Sequence, residues 1–329
     1  MSYLIITVTT VVVLVIGVLS LALALYGGFL SLSITEKLDG DEEEKHSSEQ
    51  RYYLLGMIGI IVLFARILAV PLFFWMIQSL VPYIPGAMCS YGVINVGSPY
   101  STIALVLKII LPFVYGLWLV IEVSNRKQPM LPLIGGLARS FVMILLPLVL
   151  LDSAMDLLLV ASIRPVYAPC CSSVYDVDPP FSPSALFGTQ VGMLIVLITI
   201  VAAITLIAAQ WFESKSRYLP SITLILSALV AFLYLITLHD TLAPLVLGLS
   251  NHHCPYCLFQ EFPDTAIFTG LFWIGIASAG WRVILDMVWR RKQLPNENIA
   301  GFKDFLLKLS SLSILFSMVS LLSHILITL

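Results

Sequence analysis

Two histidines and two cysteines fall within the stretch HHCPYC, His252 to Cys257. Imidazole and thiol at this density can do three kinds of chemistry. The pair can close a structural disulfide, work as a redox couple, or ligate a metal. Two further segments bring thiols. GAMCSYGV carries Cys89, and APCCSSVYD carries the adjacent Cys170 and Cys171. With Cys254 and Cys257 the total is five, so an all-disulfide arrangement leaves one thiol over. A C-x-x-C bond closes a very small ring and so stabilises little by chain entropy. The same motif supports low-pKa thiolates and easily reversed disulfides. On the redox reading Cys254 and Cys257 are the exchanging pair. Cys89 with Cys170 or Cys171 is a second couple or supplies resolving thiols, and His252 or His253 tunes thiolate character.

The metal reading treats the same side chains as a ligand set. Cys254 and Cys257 give two ligands, and His252 or His253 a third. Cys89, Cys170 or Cys171 would close a tetrahedron around zinc, copper or iron. Leu258 follows Cys257, which excludes the C-x-x-C-H signature of covalent c-type haem. His239 and His324, near helix ends, read as packing residues first and as axial ligands of a non-covalent haem second.

The tetrapeptide Cys254-Pro255-Tyr256-Cys257 resembles the one in glutaredoxin active sites. It follows no strand of a soluble α/β domain here, so only the local chemistry is shared. Paired cysteines at a membrane face are similar in chemistry to membrane thiol oxidoreductases of the disulfide-forming and vitamin K epoxide reductase types. That analogy implies a quinone as electron acceptor.

A second group of residues is charged where charge is expensive. Arg66, Lys108, Asp152 and Asp156 all fall inside apolar runs. Ionisable residues at membrane depth are rare and are functional candidates. Asp152 and Asp156 are four apart and share a helix face. Lys108 is expected at similar depth, so pairing with either acid is the economical expectation. The sharper one is a polar pocket that takes a proton or a quinone headgroup. Asp240 follows His239, while Glu122, Arg282 and Asp286 lie near a helix end and can snorkel.

The elements that position these residues follow from composition. Of 329 residues, 59% are hydrophobic and 11% charged, against about 25% charged in soluble domains. Apolar runs long enough to cross a bilayer give about eight helices, near residues 3–33, 52–81, 102–124, 131–163, 185–211, 221–249, 265–289 and 305–329. The expected fold is an all-α integral membrane protein with a single polytopic domain, short loops and no soluble domain. The first run lacks a positive n-region and a cleavage site, and reads as a retained helix rather than a signal peptide.

Lys37, Lys45 and Arg51 follow the first run, Arg126 and Lys127 the third, Lys215 and Arg217 the fifth, and Arg290, Arg291, Lys292 and Lys303 the seventh. The other loops hold only Arg164. The positive-inside rule therefore puts both termini outside the cytoplasm. It also puts all five cysteines on the extracytoplasmic side, where disulfides persist. The membrane is expected to be a cell inner or plasma membrane.

Thiol–disulfide exchange at that face, coupled to a partner protein or membrane quinone, is the expected function. One rival is a non-catalytic anchor or assembly subunit of a larger electron-transfer complex, with structural disulfides. Another is a metal-binding membrane protein or transporter. LPLIGG (Leu131–Gly136), GTQVG (Gly188–Gly192) and Pro244 are the candidate helix breaks for transport, but no repeat between the halves and no polar ladder supports it. Expected partners are the lipid bilayer and an extracytoplasmic redox protein or other membrane subunits. No basic stripe points to nucleic acid.

Overall fold

A computed structural model describes residues 5–37, 42–126, 131–177, 179, 182–212, 219–294 and 297–328. Tyr3, Lys127, Lys215, Arg217 and Leu329 lie outside the described residues, as do the side chains of Lys45 and of the acidic run DGDEEE. No strand occurs among the described residues. Among the described residues eight helices are long and apolar enough to cross a membrane. They are α1 (Val8–Lys37), α2 (Ser47–Tyr83), α3 (Tyr100–Asn125), α4 (Leu133–Ser162), α5 (Thr189–Trp211), α6 (Pro220–Leu247), α7 (Pro263–Arg291) and α8 (Ile299–Thr328). Helices satisfy their own backbone hydrogen bonds, as a lipid environment demands.

The chain divides into two compact units, Met1–Pro169 and Cys170–Leu329. In the first, α1 packs against α2 and α4, and α3 bridges α2 to α4, so four helices close a ring. Its core holds Leu55, Tyr115, Trp118 and Phe141, with the last two rings edge to face at 5.7 Å. In the second unit α5 packs on α6, α6 on α7, α7 on α8, and α8 returns to α5. Phe29, Trp75, Ile225 and Phe316 are exposed, as lipid-facing residues must be. Polar residues inside the second unit pair across helices: Thr199 with Thr237 at 2.8 Å, and Gln210 Nε2 with Ser310 Oγ at 3.2 Å.

Two spans contain one wide turn each, Phe141–Leu145 in α4 and Leu238–Leu242 in α6. Pro147 follows the first and Pro244 the second. Proline has no N–H to give and crowds the carbonyl four residues back. A π-turn relieves that crowding without ending the helix. Pro244 thus marks a bulge in a continuous span. Leu131–Ser140 is helical through its two glycines. Gly188, at φ +90°, separates the short helix Pro183–Phe187 from α5. None of the three candidate transport breaks unwinds a span in mid-course.

Candidate metal and thiol site

Chain direction alternates through the four helices of the second unit. The segment before α5 and the segment between α6 and α7 therefore share one end of it. Cys171 stands just before the short helix Ser172–Tyr175. Cys254 precedes the short helix Pro255–Glu261, and Cys257 follows within its first turn. The sulfurs of Cys171, Cys254 and Cys257 all lie within 4.8 Å of one another. Cys171 Sγ and Cys257 Sγ are 3.4 Å apart. A disulfide bond is about 2.05 Å, so this is a contact between thiols. The expected disulfides are not formed among the five cysteines. Cys171 and Cys254 are buried, and Cys257 is partly exposed.

The two histidines of the motif part company. His252 turns Nε2 toward Cys171 Sγ, at 3.9 Å, while its Nδ1 meets Asp176 Oδ1 at 2.5 Å. His253 is buried, with Nδ1 3.2 Å from the His239 carbonyl and 3.4 Å from Ser182 Oγ. His239 lies in the α6 π-turn, its ring stacked on Tyr175 at 6.1 Å. Its neighbour Asp240 accepts the Ser184 N–H at 2.8 Å and the Thr241 hydroxyl at 3.1 Å, which ties the short helix Pro183–Phe187 to α6. Cys170 Sγ accepts a hydrogen bond from Ser172 Oγ at 3.2 Å and is not one of the clustered sulfurs. His324 pairs with Asp264 at 2.8 Å.

The first unit holds the intramembrane charges together. Arg66 on α2 donates from Nε to Asp152 Oδ2 at 2.8 Å and from Nη2 to Asp156 Oδ2 at 3.1 Å. Lys108 on α3 donates to Asp152 Oδ1 at 2.6 Å and to Asp156 Oδ2 at 2.8 Å. All four side chains are at most 2% exposed. Lys108 also lies 5.4 Å from the centre of the Phe73 ring. Tyr115, two turns after Lys108, is buried within electrostatic reach of Arg66 and both acids. Cys89 belongs to this unit, buried just before the short helix Ser90–Val96. At the other end of the unit Glu122 accepts from the Tyr52 hydroxyl and from Arg126 Nε, the latter at 3.1 Å.

Asp176 and Tyr115 were not among the residues singled out from the sequence. Each had a signal. Asp176 is five residues after Cys171 in a cysteine-bearing loop, and Tyr115 is seven after Lys108, on the same helix face.

No family model matches this chain, and neither curated proteins nor solved structures provide a match.

Proposed function

We propose that this is an integral membrane protein whose second unit holds a soft metal ion, zinc or copper, through the thiolates of Cys171, Cys254 and Cys257. The Lys/Arg bias of the loops supports an extracytoplasmic position for that site. The observation that carries the reading is the mutual approach of three sulfurs within 4.8 Å. Thiolates bound at about 2.3 Å to one tetrahedral ion stand about 3.8 Å apart, near the 3.4 Å between Cys171 and Cys257. Thiolates select soft and borderline metals over hard cations. Burial of Cys171 and Cys254 suits a closed, holding site rather than one that turns over.

A second reading is thiol–disulfide exchange, favoured by the Cys171–Cys257 contact and the partial exposure of Cys257. Oxidation of the Cys254 and Cys257 thiols to a disulfide releases two electrons and two protons. A membrane quinone takes these up and becomes the quinol. An extracytoplasmic protein is then the electron donor.

One sample tests both. Protein purified without chelator is analysed for metal, and its reactive thiols are counted before and after reductant. The expected result is stoichiometric zinc or copper that leaves as the thiols become reactive. Cys171→Ser should lose the metal while the chain keeps its helicity. Thiols that appear only after reductant, with no metal, would replace the metal reading by the redox one. Five reactive thiols with neither metal nor reductant would sink both and leave a membrane anchor.

A further inference from the structure

Zinc has no redox change of its own, so a zinc–thiolate site gives up electrons only from its sulfurs. A thiolate is both the metal ligand and the nucleophile of disulfide exchange. The same side chains can therefore hold an ion or form a bond, and the geometry separates their roles. Cys171 Sγ and Cys257 Sγ are in contact at 3.4 Å, about 1.4 Å beyond disulfide length. Their segments are already joined. The His253 N–H donates to the Tyr175 carbonyl at 3.4 Å, and the Tyr175 N–H to the Cys171 carbonyl at 2.9 Å. Access differs from sulfur to sulfur. Cys254 is 0% exposed and Cys171 3%, while Cys257 is partly exposed. An incoming disulfide is attacked by the thiolate it can reach, which here is Cys257. A Cys171–Cys257 bond spans 86 residues, whereas Cys254 and Cys257 are three apart. The longer loop constrains the unfolded chain more, so that bond stabilises the oxidised form more.

We infer that the site releases its metal on oxidation, and that the bond which forms joins Cys171 to Cys257. The inference rests on the metal reading above and deepens it. The oxidant is a disulfide. The Cys257 thiolate attacks one of its sulfurs, forms a mixed disulfide and expels the first thiolate. The Cys171 thiolate then attacks Cys257 Sγ, closes the Cys171–Cys257 bond and expels the second. Two electrons pass to the oxidant, whose two sulfurs take protons from water. The zinc ion leaves because two of its thiolates are gone. Cys254 takes no part in the bond.

The purified full-length chain in detergent, reduced, loaded with zinc and freed of reductant, is treated with glutathione disulfide. A colorimetric chelator follows zinc release. The bond is mapped in Cys170→Ser, which removes the neighbouring thiol, after chymotryptic cleavage at Tyr256, which parts Cys254 from Cys257. Zinc loss is expected in step with one new bond, Cys171 to Cys257, with no glutathione retained on either. Cys171→Ser should instead keep glutathione on Cys257, with circular dichroism reporting its fold. The inference is overturned if Cys257 is joined to Cys254 or if zinc stays when the bond forms. A folded Cys171→Ser without glutathione on Cys257 would also overturn it. Those results leave the metal reading standing. Wild type that binds no zinc before oxidation would remove that reading and the inference with it.

Discussion

At the scale of single residues, the most demanding feature is the buried quartet of Arg66, Lys108, Asp152 and Asp156. Taking ions out of water costs several kcal/mol each, and mutual attraction offsets that only when the remaining hydrogen-bond positions are met. Asp152 meets the condition most fully, with Oδ1 on Lys108 and Oδ2 on Arg66. Asp156 uses Oδ2 for both cations. Removing Asp152 therefore leaves two buried cations to share the single charge of Asp156. Asp152→Ala is expected to lower the unfolding free energy by about 3–5 kcal/mol, read from denaturant or thermal unfolding in detergent. Lys108→Met combined with Asp156→Leu takes out a matched pair and leaves Arg66 on Asp152, so it should cost less than Asp152→Ala alone. Equal stability of Asp152→Ala and wild type would mean that the quartet is not sealed from water. Sequence could bring Lys108 level with the two acids, because depth follows from position along a span. It could not assign Arg66 to them, because depth does not say which way a side chain turns around the helix axis. The same gap hid the choice between His252 and His253.

At the scale of elements, close helix approach in the second unit depends on residues without side chains. A Cβ on Gly275 of α7 would stand 2.6 Å from Ile314 Cγ1 and 3.1 Å from both the Ile314 amide and the Ser310 carbonyl of α8. Two of those three neighbours are backbone and cannot turn aside. Small residues at such crossings let membrane helices meet. Gly275→Ala should therefore destabilise by about 1–3 kcal/mol through overpacking. Gly270, on the same helix with nothing within 4 Å, supplies the control. Gly270→Ala should be neutral or slightly stabilising, since alanine is the better helix former. Matching losses at both positions in a thermal-shift series would show that the α7–α8 crossing does not set the effect. The eight helices were legible as apolar runs, since hydropathy reports what a lipid-facing surface needs. The π-turns before Pro147 and Pro244 were not, because composition carries no record of hydrogen-bond register.

At the scale of the whole molecule, the division into two four-helix units is also invisible to hydropathy, which sees each span alone and not its neighbours. Charge placement is legible from the sequence and carries a stronger consequence. In the first unit Lys37 and Arg126 lie at helix ends away from the segment that bears Cys89. In the second, Arg290 and Arg291 end α7, at the end of the unit opposite Cys254 and Cys257. Lys and Arg resist translocation, so these ends should stay in the cytoplasm and the cysteines should face out. A membrane-impermeant maleimide tests this. In intact cells treated with chelator and reductant, wild-type protein is expected to be labelled through the partly exposed Cys170 and Cys257. A chain with all five cysteines changed to serine and carrying Gln293→Cys, at the exposed turn after α7, should be labelled only after permeabilisation. The reverse pattern would put the thiols in a reducing compartment. Long-lived disulfides would then be disfavoured there, a clustered thiolate site would keep its sense as a metal site, and the extracytoplasmic redox partner would have no side on which to dock.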